Sequence, residues 1–497
     1  MPDSHHNPCR DSRPFGKLRA GSRLSSRAKL GSCVQLIVLC VFSALGTAQN
    51  PVPQIVGPVK PSAVAPGSGA FAISVYGANF VPGAAVNWNG QPRSTAFVSA
   101  RELQAQILAT DVAQNTAGMI SVTNPAPGGG NSSASWAQVE VHAPVTTFSF
   151  GKPKTYGFGG WLVLPADFNH DGVLDLVGQS GTDLVLYDGK GTGAFQFQSI
   201  TGRFYDGAMG GAFGDFNGDG LLDLAYVAGA NPGVPAPQMT IMLGDGKGKF
   251  NVGSQIKGHI IFQYVAAGDF NGDGKLDLIV AGGLAFHVYL GNGDGTFTHF
   301  KDYQYKALSV VLGDFNGDGK LDMATVSSLS SAGFVVDVFF GTGDGSFSAP
   351  QIAASFSGSG VCGFQNFLQV SDFNGDGNPD LAVCTASQIG VVLGNGNGTF
   401  QPPIFVNAGS QSQFTFAVGD LNTDGKADFL VSQYYGFNPQ VVAFLGNGDG
   451  TFQAPQTMAL PPIFSAELGI TASDLNSDGL LDYIFEESLG MEILVQQ

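Results

Sequence analysis

A chain of 497 residues, 43% hydrophobic, with 72 glycines and only 12% charged residues, carries enough apolar side chain to fold and is no disordered tail. It is also too long for one ordinary core, which points to several domains or a repeat array. A formal charge of −17 argues against nucleic acid and anionic membrane surfaces as partners, since both reward Lys and Arg; it suits cation binding.

The first 48 residues differ from the rest. Arg10, Arg13, Lys17, Arg19, Arg23, Arg27 and Lys29 precede an apolar run from Val34 to Leu45, the order of a secretory signal peptide. That run is about a dozen residues, short of the ~20 that span a bilayer. The expectation is cleavage near Ala48, a secreted or cell-surface protein, and no stable membrane span afterwards; a retained signal anchor is the competing reading. The leader carries seven basic and two acidic residues, so its loss moves the formal charge from −17 to −22. Cys9, Cys33 and Cys40 leave with it. The remaining pair, Cys362 and Cys384, is compatible with a disulfide, as exported chains favour, and equally with two buried thiols.

From Pro51 to His142, apolar residues alternate with polar ones, as in Phe71-Ala-Ile73-Ser-Val75, between frequent Gly and Pro. Period-two alternation bounded by turn residues predicts a small antiparallel β-sandwich. The pieces Tyr76-Gly-Ala-Asn79-Phe80-Val-Pro-Gly83, Val86-Asn-Trp88-Asn-Gly90 and Val122-Thr-Asn124-Pro-Ala-Pro-Gly128 resemble the IPT/TIG family of Ig-like domains over residues 52–142. The resemblance implies a spacer or binding module. Trp88 and Trp136 are read as core residues before a sugar platform.

After a short joint at His142–Thr146, one motif recurs seven times: Asp, Asn, Asp and Asp at positions one, three, five and nine, with Gly at six. The copies place these at Asp167, Asn169, Asp171 and Asp175; Asp215, Asn217, Asp219 and Asp223; Asp269, Asn271, Asp273 and Asp277; Asp314, Asn316, Asp318 and Asp322; Asp372, Asn374, Asp376 and Asp380; Asp420, Asn422, Asp424 and Asp428; and Asp474, Asn476, Asp478 and Asp482. Successive copies start 48, 54, 45, 58, 48 and 54 residues apart, the length of a propeller blade. Within a unit the order is strand, acidic loop, strand, variable loop, strand, tight Gly turn, strand. The third unit shows it as Tyr264–Ala267, Asp269–Asp277, Leu278–Ala281, Phe286–Leu290, a Gly291–Gly295 turn and Phe297 onward. Four antiparallel strands repeated seven times predict an all-β chain: a seven-bladed β-propeller preceded by an Ig-like sandwich. The chain ends on a third strand, Met491–Val495. Phe150-Gly-Lys-Pro153 repeats the Phe-x-x-Pro of fourth strands at Phe347, Phe400 and Phe452, so residues 147–156 are expected to complete the last blade and hide its edge.

Position three is always a neutral Asn, so each loop carries three carboxylates, and seven loops hold 21 of the 37 acids outside the leader. Two unit charges ~4 Å apart repel by roughly 1 kcal/mol in water and ~4 at an effective dielectric near 20. The competing reading is a set of Asx turns that bond their own backbone. A hard cation with six to eight oxygen ligands answers the repulsion, and calcium is the expected metal, in up to seven sites. An EF-hand would close with Glu at position twelve between helices; here Asp at nine leads into a β run. The motif instead resembles the FG-GAP/VCBS repeats of integrin α-like propellers, over residues 147–497. That resemblance implies calcium ligands at positions one, three, five and nine of each copy. Departures are His170 at position four, Leu421 and Leu475 at position two, and Pro379 at position eight; none removes a side-chain ligand.

The connections at the other end of the strands carry aromatics, and Tyr205, Tyr264, Tyr303, Tyr305, Tyr434 and Tyr435 are read as the candidate ligand face, packing between blades being the alternative for each. No catalytic constellation is legible. His142, His170, His259, His287 and His299 are scattered, and Glu486-Glu487 reads as a solvated turn. The expectation is a secreted, monomeric, calcium-stabilised binding or adhesion protein for an extracellular protein or glycan. The alternative is a polysaccharide-active protein, a lectin or a calcium-dependent lyase, on the same scaffold.

Overall fold

The computed structural model describes residues 48–132, 137–157, 163–180, 183–198, 202–203, 208–228, 238–257, 262–282, 284–330, 333–357, 362, 367–409, 414–433, 440–458, 469–486 and 490–497. Residues 1–47 of the leader, Trp136, Tyr205, His259, Tyr434, Tyr435 and Glu487 lie outside them. Every regular element among the described residues is a strand, and no helix there is long and apolar enough to cross a membrane. Residues 49–497 form one compact unit.

The first segment folds as two sheets over one core. One sheet pairs Gln54–Lys60, Phe71–Ala78, Glu102–Ile107 and Thr95–Ser99; the other is built on Thr116–Asn124, flanked by Gln138–Val141 and Ala85–Trp88. Alternation does what the pattern predicts: in Glu102–Ile107, Leu103, Ala105 and Ile107 are fully buried while Gln104 and Gln106 are exposed. Trp88 is buried in this core, and Gly118 makes room for it, since a Cβ there would lie 2.2 Å from the indole.

Among the described residues seven further sheets follow, each antiparallel. They begin at Val163, Ala208, Tyr264, Val310, Leu368, Phe414 and Gly469. In the third, Tyr264–Gly268, Asp277–Gly282, Ala285–Gly291 and Phe297–Tyr303 lie in that order, within about a residue of the predicted boundaries. The second strand is buried throughout and the fourth is largely exposed, because middle strands are covered on both faces and the outer edge is not. The seventh sheet takes its outer strand from upstream: Lys154–Tyr156 pairs with Met491–Ile493, and Phe150 bridges Gln496.

Shared cores tie each sheet to the next. Phe168 and Phe213 pack between the first and second sheets, Phe216 and Leu278 between the second and third, and Phe286 and Phe339 between the third and fourth. One large cluster joins the fourth, fifth and sixth, another the sixth and seventh, and Leu475 and Met491 pack with Leu176 and Phe195 to join the seventh to the first. The residue at motif position two is the repeated wedge. Phe216 meets Phe297, Phe270 meets Phe347 and Phe373 meets Phe452, each across a sheet boundary at ring distances of 5.6, 5.5 and 6.1 Å. Beside these wedges, the turn glycines Gly295, Gly345, Gly398 and Gly450 each donate a backbone N–H to the position-two carbonyl of the preceding sheet, at 2.9–3.0 Å.

The structure corrects the reading of the sandwich as a spacer. It is seated on the acidic-loop end of the later sheets. Ala78 and Val56 join the core between the third and fourth sheets, and the joint is docked, with Val145 N–H on the Asn422 carbonyl and Thr423 Oγ1 on the Ala143 carbonyl. Cys362 and Cys384 form a disulfide, Cα atoms 5.5 Å apart, tying the entry of the fifth sheet to the end of its second strand.

Candidate metal loops and the domain that covers them

The fourth loop shows the wiring, and its bonds from the N–H groups of positions two, five, six and seven recur in all seven copies. Asp314 Oδ1 accepts the N–H of Gly317 (2.8 Å) and Asp318 (3.1 Å), and its Oδ2 accepts that of Gly319 (2.9 Å). Asn316 Oδ1 accepts Asp318 N–H, and Asp318 Oδ1 accepts Lys320 N–H. Asp322, at position nine, does two jobs: Oδ2 accepts Phe315 N–H (3.0 Å), and Oδ1 accepts Gly341 N–H (2.8 Å) from the end of the third strand. The donor at that third-strand end is Gly in six copies and Gln496 in the seventh; a Cβ on Gly341 would sit 2.1 Å from the Leu321 carbonyl oxygen. The Asx-turn bonds weighed from the sequence are therefore present, and they leave room for a metal. An ionised carboxylate has about four lone-pair sites; Asp322 uses one on Oδ1 and two on Oδ2, which Asn316 N–H also reaches at 3.3 Å.

Position nine is fully buried in every copy: Asp175, Asp223, Asp277, Asp322, Asp380, Asp428 and Asp482 are all 0% exposed. Burial first, then neighbouring loop aspartates, pushes these carboxyls up against the pull of their backbone donors. They reach about 7 at Asp175, Asp223 and Asp380 and about 8 at Asp277, Asp322, Asp428 and Asp482. A donor set of carboxylate and amide oxygens, with no nitrogen or sulfur, fits a hard divalent cation such as calcium. Positions one, three, five and nine would hold it, supplying charge neutralisation and a fixed loop.

Position four has a requirement the sequence did not reveal. Its backbone is left-handed in all copies: Gly218, Gly272, Gly317 and Gly375 have φ of 73–78°, and His170, Thr423 and Ser477 adopt φ of 57–59° without being glycine.

The sandwich reaches the position-one aspartate of five loops, by a different residue each time. Val52 N–H donates to Asp269 Oδ2 (2.9 Å), Arg101 Nε lies 4.0 Å from Asp314 Oδ2, Lys60 Nζ pairs with Asp372 Oδ2, Ser62 Oγ donates to Asp420 Oδ2 (3.2 Å), and Gln138 Oε1 accepts Asp474 N–H (3.4 Å). Arg101 also donates to the Gly377 carbonyl and Asn378 Oδ1. These five aspartates are buried, whereas Asp167 and Asp215 of the first two loops are half-buried. Gly172 and Gly220, at position six there, face open space; Gly319 and Gly479 abut Ala100 and the Val141 carbonyl of the sandwich.

Of the proposed ligand-face tyrosines, the three described, Tyr264, Tyr303 and Tyr305, are partly exposed and each packs against a neighbouring ring. Tyr303 stacks on Phe286 at 4.4 Å and its hydroxyl accepts Phe347 N–H; Tyr305 packs on Phe339 and donates to Asp337 (2.6 Å); burial pushes the Tyr264 phenol up to about 12, beside Phe367. These rings fill space between sheets. Glu486 needs correction: it is 3% exposed, not a solvated turn, and burial alone pushes its carboxyl up to about 8. The histidines are not all scattered. The turn at Gly291–Gly295 sets His287 opposite Asp302, so His287 Nδ1 (2.5 Å) and His299 Nε2 (2.6 Å) both meet Asp302 Oδ1 and hold that carboxyl below its ordinary range. Reading the hairpin register from that turn would have found this cluster.

Residues 167–226, 269–325 and 372–431 each match the family of FG-GAP-like repeats. The chain carries FG-GAP-like repeats. The matched stretches cover the first six loops in pairs, and the seventh repeats the same wiring. No curated protein matches. Among solved structures, an Agrocybe aegerita lectin that recognises non-reducing terminal N-acetylglucosamine is 17% identical, at a TM-score of 0.45, over 75% of this chain and 93% of that one. An auxiliary nutrient binding protein from Bacteroides thetaiotaomicron is 13% identical, at a TM-score of 0.37, over 90% and 98%. The FG-GAP-like repeats sit in a run of small antiparallel sheets whose seventh packs against the first, with a second domain on their acidic loops.

Proposed function

We propose that the seven sheets are the blades of a calcium-loaded, seven-bladed β-propeller, that the preceding sandwich is an IPT/TIG-type Ig-like domain, and that together they make a secreted or cell-surface, monomeric binding protein. Its ligand, an extracellular protein or glycan, docks at the end of the propeller opposite the acidic loops. The observation that carries this reading is the seating of the sandwich: the chain's own domain occupies most of the loop end, so the loops fasten the scaffold and the opposite end is left for a partner. The buried position-nine aspartates support the calcium part, because seven such clusters need a counter-charge to be compatible with folding.

Calcium at about 100 times its dissociation constant would add about 2.7 kcal/mol per independent site. A thermal melt in millimolar calcium should therefore lie well above the melt in excess chelator; superimposable melts would reject the calcium assignment. A glycan array and an extracellular-protein binding screen, each run with and without calcium, test the ligand class, and calcium-dependent binding to neither would reject the platform role.

A further inference from the structure

Strand Gln138–Val141 runs along the rim of the sandwich where it meets the sixth and seventh loops. Its register is fixed on both sides, antiparallel to Thr116–Met119 and parallel to Ala63–Val64. Residues two apart on a strand share a face, so Glu140 projects on the same side as Gln138, whose Oε1 accepts the Asp474 N–H. Next to them the backbone of Val141 lies against Gly479 so closely that a Cβ there would be 2.6 Å from the Val141 carbonyl oxygen. Glu140 is only 4% exposed, and its Oε2 is buried with no hydrogen-bond partner. The groups around it are acidic: Asp474 acts on it most strongly, then Asp420, Asp482 and Asp478.

An unpartnered carboxylate oxygen, shut from water among acidic neighbours, is among the costliest arrangements a fold can hold unless a cation is shared. We propose that Glu140 supplies a carboxylate oxygen from the sandwich to the divalent cation of the seventh loop, so that this one ion clamps the two domains together. The inference rests on the calcium reading above. With Asp474, Asp478 and Asp482, Glu140 gives this loop four carboxylates, and ligand charge count is a main determinant of calcium affinity. The seventh site is therefore the tightest, and its filling governs whether the sandwich stays seated.

The test is calorimetric calcium titration of the chelator-stripped full chain, with limited proteolysis at the His142–Thr146 joint followed in parallel. Glu140→Gln keeps the shape and removes the charge; Asp219→Asn alters an uncovered loop. The expected result is that Glu140→Gln weakens the tightest site at least tenfold and abolishes calcium-dependent protection of the joint. Asp219→Asn should lose a weak site and keep that protection. If Glu140→Gln fails to fold, Glu140→Asp, which keeps the charge and withdraws the oxygen by one methylene, provides the comparison. Wild-type affinities and protection in the Glu140 variant would overturn the clamp while leaving calcium binding intact, and Glu140 would then be a buried neutral acid. No calcium uptake by the wild type would overturn both.

Discussion

Loops three to seven and loops one and two carry the same residues at positions one, three, five, six and nine, yet their surroundings differ. In the five later loops the position-one aspartate is buried beneath the sandwich and touched by Val52, Arg101, Lys60, Ser62 or Gln138. In the first two it is half-buried; position six faces open space there, as it also does at Gly425 of the sixth loop. Position nine ignores the difference, being fully buried in all seven. One motif therefore holds two kinds of interaction: an inner tie belonging to each sheet, and an outer rim whose energetic weight depends on what covers it.

The largest expected effect lies where the two groups should agree. Asp322→Ala and Asp175→Ala each strand two buried backbone donors, and at about 1–3 kcal/mol per unsatisfied group each should cost roughly 3–5 kcal/mol in urea denaturation. A mild Asp175 variant would mean that the tie, too, depends on the cover. Position one should separate the groups. Asp269→Ala removes the acceptor of Val52 N–H and of three loop N–H groups in a buried setting and should cost about 2–3 kcal/mol, against about 1 or less for Asp215→Ala, whose donors reach water. Equal losses would break the comparison.

Glu486 sharpens it from outside the loops, as a buried acid that burial alone shifts. Its folded pKa of about 8 lies above the ordinary value of 4.5, so the folded state holds the proton longer. The stability it contributes is full below pH ~4.5 and is lost as pH rises through ~8. In saturating calcium, Glu486→Gln should melt higher than wild type near pH 9 and differ little near pH 4; parallel pH profiles would contradict this. The smallest effect is at the rim of the first loop. His170 is exposed at φ 59°, and since a left-handed residue costs roughly 1–2 kcal/mol less glycine's entropy penalty, His170→Gly should stabilise by about 0.5–1 kcal/mol in denaturant titration.

Much of this was legible in the sequence because it is local. Asp at nine leads directly into the second strand, Gly-Asn-Gly-Asp-Gly into the third-to-fourth hairpin, and Phe150 repeats the text of a fourth strand, so sheet order and the upstream outer strand could be read from spacing. The left-handed backbone at position four was hidden because His170, Thr423 and Ser477 adopt it without glycine to mark it. The fate of Tyr303, Tyr305 and Glu486 was hidden for another reason: an aromatic or an acid at a strand end reads the same whether it meets water or a neighbouring sheet.

What the sequence determined by itself is the repeat, its seven acidic loops and the strands each loop joins, since hydrogen bonds between residues two to seven positions apart need no distant partner. Only the tertiary structure decided which loops are covered, that the sandwich is seated on them and not strung out ahead, and that Glu140 is buried among the acids of the sixth and seventh. Those outcomes join residues 138 and 474, or 60 and 372, by packing two surfaces whose complementarity leaves no period or spacing in the chain.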